Sequence, residues 1–438
     1  MADDGAPRYL VINRFDDECG YYHDFFAGLD CQLFYITLPK GLPVLDQDGA
    51  VQTVVVPDLG LDTVLAQAKA LVARHGEFAG VVGMSERDVL MTALLREALG
   101  IPGWRGDFVN RFRDKPTMKR LVAEAGLRVP RFEELDERPD AAGIAARLGL
   151  PLVLKPRSEA ASRGVVVVSD EAELADLLAS IDPAQYECEE FVGGAVVHVD
   201  GVRRDGAFHY VSASEYINTC LDFVHGQWIG SVILDPGEEC DRYTRFTALC
   251  LDALGLTDGP FHFELIVAER GEPVFLEVAI RPGGGEVAFI HQDLFGVSLY
   301  GEGLRASLGL AAMNRPDEFR APVGGGWLLI PEPEPRPCRV LARNSMAGTV
   351  PEVYAELLPQ IGSVLDGTGG YERIGGRFRL HGLDESSVRD AIARVAGLYE
   401  LKVEPAATDG AAPGGGSPYA AWINKPRSAK DGTWRSAR

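Results

Sequence analysis

The sequence has little lysine and no long apolar run. Of its 438 residues, 8 are lysine and 35 are arginine, and the formal net charge is −21. Such an acidic chain disfavours nucleic acid as the main partner, because phosphate binding needs a basic surface. No apolar run approaches the ~18 residues that a membrane-spanning helix needs. We therefore expect no nucleic-acid partner and no membrane partner.

Cysteine is also scarce, and its pattern bears on the compartment. The seven cysteines are odd in number, and no two form a C-x2-C pair. This pattern disfavours a disulfide framework or a zinc knuckle and favours reduced thiols. The acidic N-terminus MADDGAPRYL lacks the basic start and the apolar stretch of a secretory signal. A cytoplasmic location is the expectation.

The order of local patterns predicts a multidomain chain that is α/β and then α+β. Strand-like and helical stretches alternate through residues 1–110, which is typical of parallel βαβ units. Residues 111–320 mix helices with a strand meander and hold the candidate chemistry. Residues 321–404 predict a C-terminal α+β lobe. The remaining residues, 405–438, combine a Gly/Pro-rich linker with basic residues and predict a flexible tail.

Two glutamates, Glu264 and Glu277, are predicted to face each other across a hairpin. The segments 261–268 and 274–278 flank a turn, and a two-residue or a four-residue turn gives this same pairing. Like charges directly opposite destabilise a sheet, so a positive group should lie between them. Carboxylates of this kind suit Mg²⁺ together with substrate phosphates. The alternative is an exposed acidic pair that Arg281 neutralises.

A second feature is a lysine that precedes a loop of small residues. In LKPRSEAASRGVVVV, residues 154–168, Lys155 ends a strand, and backbone N–H groups of the loop can cradle phosphate oxygens. The pattern is weak alone, because many loops between strands look similar. No P-loop, G-x-S-x-G elbow or dinucleotide-binding glycine pattern after a strand is found. His262 shares a strand face with Glu264, and both a site role and a structural role stay open.

Six motifs, taken in order, resemble the ATP-grasp superfamily. They are DKPTMK (114–119), VLKP (153–156), ASRGV (161–165), EEFVGG (189–194), FHFEL (261–265) and EVAIRPGGG (277–285). Within the superfamily, SRGV and a glutamate four residues before Arg-Pro-Gly-Gly look most like the carboxylate–amine ligases, which include L-amino-acid ligases and other dipeptide-forming enzymes. The resemblance covers residues 1–403. It implies an ATP-grasp fold with a Rossmann-like pre-ATP-grasp domain at the N-terminus and an α+β lobe at the C-terminus.

The resemblance also implies the cofactors ATP and Mg²⁺ and a role for each residue at a matching position. The implied nucleotide-binding residues are Lys115, Lys155, Ser162, Gly164, Glu189, Glu190, Phe191 and Val192. The lysines would contact the phosphates, the loop residues would cover them, and the backbone from Glu189 to Val192 would read adenine. Glu264 and Glu277 would hold Mg²⁺, and Arg281 would act on the transferred phosphate or the acyl phosphate.

Two positions depart from the family pattern. Ala279 stands where many members have the asparagine two residues after the second glutamate, which leaves the number of Mg²⁺ ions open. Val196 stands at the place of the glutamate that commonly binds ribose, so no ribose contact is assigned.

The expected activity is ATP-dependent ligation of a carboxylate to an amine through an acyl phosphate, with release of ADP and phosphate. The expected partners are small-molecule carboxylates and amines, and a homodimer is possible for such an enzyme. The alternatives are an ATP-grasp carboxylase or purine-type transferase, and a catalytically silent ATP-binding protein. Residues considered for a substrate pocket are Glu215, Tyr216, His225 and His291.

Overall fold

The computed structural model of the protein describes residues 5–320, 323–367 and 374–406, which form four β-sheets. Parallel and antiparallel sheets with helices between them confirm the mixed α/β and α+β prediction. Among the described helices, none is both long enough and apolar enough to cross a bilayer. None of the seven cysteines, which all lie in the described residues, forms a disulfide. The predicted tail lies outside the described residues, apart from residues 405 and 406.

The first sheet lies in the N-terminal part of the chain. Its strands are β1 (Arg8–Asn13), β2 (Gln32–Thr37), β3 (Gln52–Val55) and β4 (Gly80–Val82), and the helices of this part are α1 (Tyr22–Phe25), α2 (Leu61–His75), α3 (Glu86–Leu99) and α4 (Gly106–Asn110). The strands are parallel in the order β3-β2-β1-β4. As predicted, α3 begins after Ser85 and ends at Gly100, which has a left-handed backbone (φ 70°).

A small antiparallel sheet follows. Its elements are α5 (Lys115–Glu124), β5 (Phe132–Glu134), α6 (Ala141–Leu148), β6 (Leu152–Pro156), β7 (Val166–Val168), α7 (Glu171–Ser180) and β8 (Tyr186–Glu190). The strand order is β5-β8-β6-β7. Helices α6 and α7 cover one face of the sheet, because Ile144, Leu174 and Leu178 pack there against Leu152 and Cys188.

The remaining elements belong mostly to a large sheet. They are β9 (Ala195–Arg204), β10 (Ala207–Ile217), α8 (Cys220–Val224), β11 (Ile229–Ile233), α9 (Glu238–Leu254), β12 (Gly259–Val267), β13 (Pro273–Ala279), α10 (Val287–Ile290), α11 (Leu299–Ser307), β14 (Gly324–Ile330), β15 (Cys338–Arg343), β16 (Val353–Leu357), β17 (Val364–Leu365), β18 (Gly376–Gly382), α12 (Glu385–Leu398) and β19 (Leu401–Pro405). A π-helical turn, His291–Phe295, continues α10.

The large sheet has eight strands in the order β13-β12-β9-β10-β11-β14-β18-β16, and a separate three-stranded sheet has the order β17-β15-β19. Strands β14, β16 and β18 extend the same sheet that holds the paired glutamates, so the large sheet crosses residue 320. The domain boundaries at residues 110, 320 and 404 stay predictions.

One row of paired residues crosses five strands of the large sheet and places the candidate chemistry. Directly paired neighbours in an antiparallel sheet share a face. The row runs Glu277, Glu264, His198, Ser214 and Ile233. This face is therefore polar at the end that carries β13 and apolar toward β11.

Candidate active site

Glu264 and Glu277 are directly paired across β12 and β13, which confirms the predicted pairing. The predicted turn length is wrong, because the turn has three residues, Glu269–Gly271, and the pairs nearer to it are shifted by one residue. A bulge between Glu264 and Leu265 restores the register. The two carboxylates face each other because the odd turn and the bulge compensate.

Each of these carboxylates has its own partner. Lys115 Nζ lies 3.1 Å from Glu277 Oε2, and His262 Nε2 lies 3.3 Å from Glu264 Oε1. The Tyr216 hydroxyl donates to the same Glu264 oxygen at 3.1 Å. The ion-pair partners of the two glutamates are therefore Lys115 and His262, and not Arg281 as the alternative interpretation requires.

Lys115 is positioned by the start of α5. The Asp114 carboxylate caps this helix by accepting from Thr117 N at 3.1 Å, and Arg157 Nε donates to the same carboxylate at 2.8 Å. The end of β6 is thus tied to the beginning of α5. Lys115 Nζ also donates to the Glu159 carbonyl at 2.6 Å, so one ammonium group joins the small-residue loop to the glutamate hairpin.

The small-residue loop, residues 157–164, has an unusual backbone. Ala161 (φ 58°), Ser162 (φ 53°) and Gly164 (φ 71°) are all left-handed. Non-glycine residues rarely adopt this conformation and are found in it mainly where the surroundings impose it. A Cβ atom at Gly164 would lie 2.9 Å from Pro156 Cγ, so only glycine fits there without displacement.

Arg281 reaches across to the N-terminal part of the chain. Its Nε donates to Glu86 Oε2 at 2.5 Å, and Arg113 Nη1 donates to Glu86 Oε1 at 2.5 Å. Burial disfavours the ionised form of Glu86, yet the charges of Arg281 and Arg113 hold the pKa of its carboxyl below the ordinary value. Glu86 is the first residue of α3, so a helix start positions both guanidinium groups.

Glu277, Lys115, Arg281 and their neighbours line a cavity of about 30 Å³, and Glu264 is not among its lining residues. Its polar lining comprises Glu86, Arg113, Lys115, Ser158, Glu159, His262, Glu277 and Arg281, and Ala279 lies beside them. Three cationic side chains and the glutamate hairpin thus surround one space. Sequence reasoning missed Glu86 and Arg113. The available signal was the position of Glu86 at the carboxyl end of a parallel strand, where ligands commonly bind.

Lys155 lies in a second, fully buried charge cluster. Its Nζ is 2.6 Å from Glu189 Oε1, and Lys119 Nζ is 2.6 Å from Glu189 Oε2 and 2.8 Å from Glu187 Oε1. Burial opposes ionisation of Glu189, but the two lysines lower the pKa of its carboxyl. Two cations and two carboxylates therefore balance inside the small sheet. Lys119 and Glu187 were not predicted.

The other residues predicted to border adenine, Glu190, Phe191 and Val192, have different surroundings. The Glu190 carboxylate is bound by Arg128 Nη2 at 2.5 Å and by Arg131 Nε at 2.6 Å, so its side chain braces the small sheet. Phe191, which is exposed, and Val192 follow β8 in the connection to β9. Contact of this backbone with adenine stays a prediction.

A chain of buried hydrogen bonds continues from His262, the ion-pair partner of Glu264. His262 Nδ1 lies 2.8 Å from Asp200 Oδ1, His198 Nδ1 lies 2.5 Å from Asp200 Oδ2, and His198 Nε2 lies 2.7 Å from Ser231 Oγ. Burial disfavours the His262 cation, but the charge of Asp200 and hydrogen bonds to Asp200 and Glu264 raise the pKa of His262 to about 10.

The ligand atoms of His198, Asp200 and His262 lie within 4.8 Å of one another, a spacing that could hold a metal ion. The two His–Asp separations are hydrogen-bond distances, so these side chains bind one another. His198 and Asp200 were missed by sequence reasoning. The sequence signal for them was the H-x-D pattern in β9, which places both side chains on one face of the strand. In the structure His198 pairs with Glu264, and Asp200 pairs with His262.

Of the residues considered for a substrate pocket, Tyr216 contacts Glu264. Glu215 points to the other face, where Arg389 Nη1 lies 3.2 Å from its carboxylate. His225 is exposed in the turn after α8. His291 lines a separate small cavity beside His198.

Comparisons with known proteins were made by sequence and by structure. No family model matches the chain. It is 25% identical over 380 residues to the L-arginine-specific L-amino acid ligase of Bacillus subtilis, which covers 79% of this chain and 86% of that protein. It is 38% identical over 219 residues to D-alanine–D-alanine ligase B of Chromobacterium violaceum, which covers 48% of this chain and 68% of that ligase.

Among solved structures, the crystal structure of an L-amino acid ligase from Bacillus licheniformis superposes with a TM-score of 0.70. The match covers 90% of this chain and 98% of that one at 19% identity. At this identity the likeness bears on the fold alone, and it confirms the predicted fold class.

Proposed function

The chain belongs to the ATP-grasp carboxylate–amine ligases, and on this premise we propose that it activates the carboxylate of an amino acid or a related small molecule as an acyl phosphate and couples it to an amine. Membership makes it an ATP-dependent enzyme that forms carbon–nitrogen bonds. The observation that carries the finer proposal is the single cavity that Lys115, Glu277, Arg113 and Arg281 share. A phosphoryl group in transfer needs this combination of cations and metal-binding carboxylates.

The residues present fit Mg²⁺. Both described polar contacts of Glu264 use Oε1, which leaves its second carboxylate oxygen for a cation. The Glu277 side chain is 32% exposed and lines the cavity. Glu264 and Glu277 would hold the ion, which supplies neutralisation of phosphate charge when bound.

The ATP phosphates would be bound by Lys115, by Lys155 and by the loop that holds Ser162 and Gly164. Adenine would lie beside the backbone of residues 189–192. Lys115 now donates to Glu159 O and pairs with Glu277. Both contacts are of the kind that a phosphate oxygen or a metal can replace. Lys155 is held in place by Glu189, so its ammonium is oriented before a nucleotide arrives.

Arg281 would act where charge develops. A substrate carboxylate oxygen attacks the γ-phosphorus of ATP, and the bond to ADP breaks. The amine then attacks the acyl carbon after losing a proton, the bond from carbon to the phosphate oxygen breaks, and phosphate leaves. Because Glu86 and the Pro282 carbonyl fix its guanidinium, Arg281 can stabilise the equatorial oxygens of the phosphoryl group in the first step and the departing phosphate in the second, without reorganising.

The test is a screen of amino acids, singly and in pairs, for ATP-dependent phosphate release by the full chain, with the product mass measured. We expect release that needs a carboxylate and an amine, and a product with the summed mass minus water. A requirement for bicarbonate would favour the carboxylase alternative. Bound ATP without turnover in any mixture would favour the catalytically silent alternative.

A further inference from the structure

A second cavity lies on the polar face of the large sheet, next to the hydrogen-bond chain. Residues from four strands, from α10 and from the turn after it line this cavity, and its polar members are His198, Ser214, Ser231 and His291. Its volume is about 10 Å³, which is space for one group of the size of a water molecule. Trp327, Val287 and Ile290 close it with apolar surface.

The polar atoms that face this cavity are mainly acceptors. His291 is 1% exposed, and its Nδ1 lies 2.7 Å from the Val287 carbonyl, which can only accept. Its Nε2 therefore presents a lone pair, and this buried atom has no partner among the described residues. His198 Nδ1 lies 2.5 Å from Asp200 Oδ2, and its Nε2 lies 2.7 Å from Ser231 Oγ. A hydroxyl oxygen keeps a lone pair whichever of these two atoms donates, so Ser231 Oγ can also accept.

The buried setting also favours a neutral donor. Burial lowers the pKa of His291, so its imidazole is neutral near pH 7. An anion placed here would meet the lone pair of His291 Nε2 and would lose its hydration. A hydroxyl or an amino group would instead satisfy a buried acceptor that is costly to leave unpaired.

The cavity adjoins the active site. His198 on its wall and His262 on the wall of the first cavity bind the same Asp200 carboxylate. Residues Gly283–Gly285 connect Arg281 to α10. A Cβ at Gly283 would lie 2.6 Å from Asp200 Oδ1, and one at Gly285 would lie 3.4 Å from Trp327 Cη2. The glycine turn therefore lies between Arg281 and the second cavity, against the His198–Asp200–His262 chain that separates the two cavities.

We propose that this cavity is a specificity pocket that accepts a small hydrogen-bond donor group, a hydroxyl or an amine, on the side chain of the activated amino acid. The proposal rests on the proposed ligase function and narrows its substrate class. Since only a group of one heavy atom fits, a donor one or two bonds beyond the α-carbon suits the pocket. Aromatic and anionic side chains do not.

The experiment compares isosteric substrates in ATP-dependent phosphate release. Threonine is compared with valine for a hydroxyl, and 2,3-diaminopropionate with 2-aminobutyrate for an amine. We expect kcat/KM of the wild type to favour the donor in at least one of the two pairs by about tenfold.

Two variants of His291 test whether its Nε2 atom is the acceptor for the substrate group. His291→Asn retains an amide near the Val287 carbonyl and loses Nε2, so the donor preference should fall to about one. His291→Gln places a polar atom near the Nε2 position and should keep part of the preference. The KM for ATP should change less than twofold in both, and His75→Asn, in the N-terminal part, should leave the preference unchanged.

The outcomes separate the two levels of the proposal. A wild type that releases phosphate with either member of every pair equally well would overturn the pocket and leave the ligase function standing, as would a His291→Asn enzyme that slows equally on both members. Absence of phosphate release with every amino acid would contradict the ligase function and the pocket with it.

Discussion

At the scale of single residues, the charged groups of the proposed site are each paired with a carboxylate or a carbonyl of the protein. Lys115 contacts Glu277 and Glu159, and Arg281 contacts Glu86. Such pairing keeps cations oriented without leaving a buried charge uncompensated. The Arg281–Glu86 contact joins residues 195 positions apart, so no local pattern could predict it. The paired glutamates were predictable because only a short hairpin separates them.

The first prediction concerns the glutamate pair. Glu264→Gln and Glu277→Gln should raise the Mg²⁺ concentration needed for half-maximal rate and lower kcat by at least about 100-fold, because each removes a carboxylate that neutralises phosphate charge through the metal. Steady-state phosphate release across a Mg²⁺ titration measures both effects. Glu269→Gln, in the exposed turn of the same hairpin, is the matched control. Normal turnover of the site variants at low Mg²⁺ would leave only a structural acidic pair.

The second prediction uses the lowered pKa of Glu86. A carboxyl whose pKa is lowered on folding stabilises the protein above its unfolded pKa, about 4.3, and this stabilisation is lost as pH falls through the folded pKa. At pH 7, Glu86→Gln should therefore have a free energy of unfolding about 2 kcal/mol below that of the wild type and a lower melting temperature. This gap between the two proteins should close in acid.

Melting curves from pH 7 to pH 3 follow this gap. Glu171→Gln changes the first residue of α7, which is exposed, and should show no gap at any pH. A gap for Glu86→Gln that persists unchanged through acid would mean that the Arg281 and Arg113 contacts do not stabilise the ionised carboxylate.

At the scale of elements, helices and central strands were predictable and irregular backbone was not. Helix α3 follows from a serine start with Asp88 three residues later and from a glycine stop. The length of the turn Glu269–Gly271 and the bulge beside Glu264 could not be predicted from the residue types of the hairpin. The left-handed stretch at Ala161 and Ser162 is likewise set by the surrounding structure, since neither residue type prefers that conformation.

The third prediction concerns the loop that carries this stretch. Gly164→Ala should weaken ATP binding, because a Cβ there meets Pro156 and the left-handed backbone costs an added ~1 kcal/mol or more. Gly126→Ala is the matched control. Gly126 has a similar φ of 78° and open space around the added Cβ.

Both alanine variants should lose some thermal stability, and only Gly164→Ala should lose ATP affinity in calorimetric titration. Equal ATP affinity for the two variants would indicate that the loop backbone does not contribute to nucleotide binding.

At the scale of the whole molecule, the residues of the proposed active site come from parts that are distant in the chain. Glu86 comes from the N-terminal part, Lys115 from α5, Lys155 from the small sheet and Glu277 from the large sheet. The order of the motifs predicts that these parts assemble, and the resemblance covers them. Their mutual contacts are long-range and became visible only in the structure.

The fourth prediction concerns the C-terminal end. Strand β19 (Leu401–Pro405) pairs with β15, so truncation after Ala406 should leave the melting temperature and the ATP affinity unchanged. Truncation after Glu400 removes β19 and should lower the melting temperature, because β15 loses a sheet partner and Cys338 and Val340 lose cover. If truncation after Ala406 lowers the melting temperature or the ATP affinity strongly, residues 407–438 dock on the rest of the protein.

The transfer of oxygen from the carboxylate to phosphate tests the central claim most directly. A substrate that supports turnover is prepared with both carboxylate oxygens as ¹⁸O, and the phosphate released with ATP and Mg²⁺ is analysed by mass spectrometry. If the carboxylate is activated as an acyl phosphate, each phosphate carries one ¹⁸O and the amide product retains the other. Unlabelled phosphate, released in step with amide formation, would contradict an acyl phosphate and with it the roles given to Arg281 and the paired glutamates.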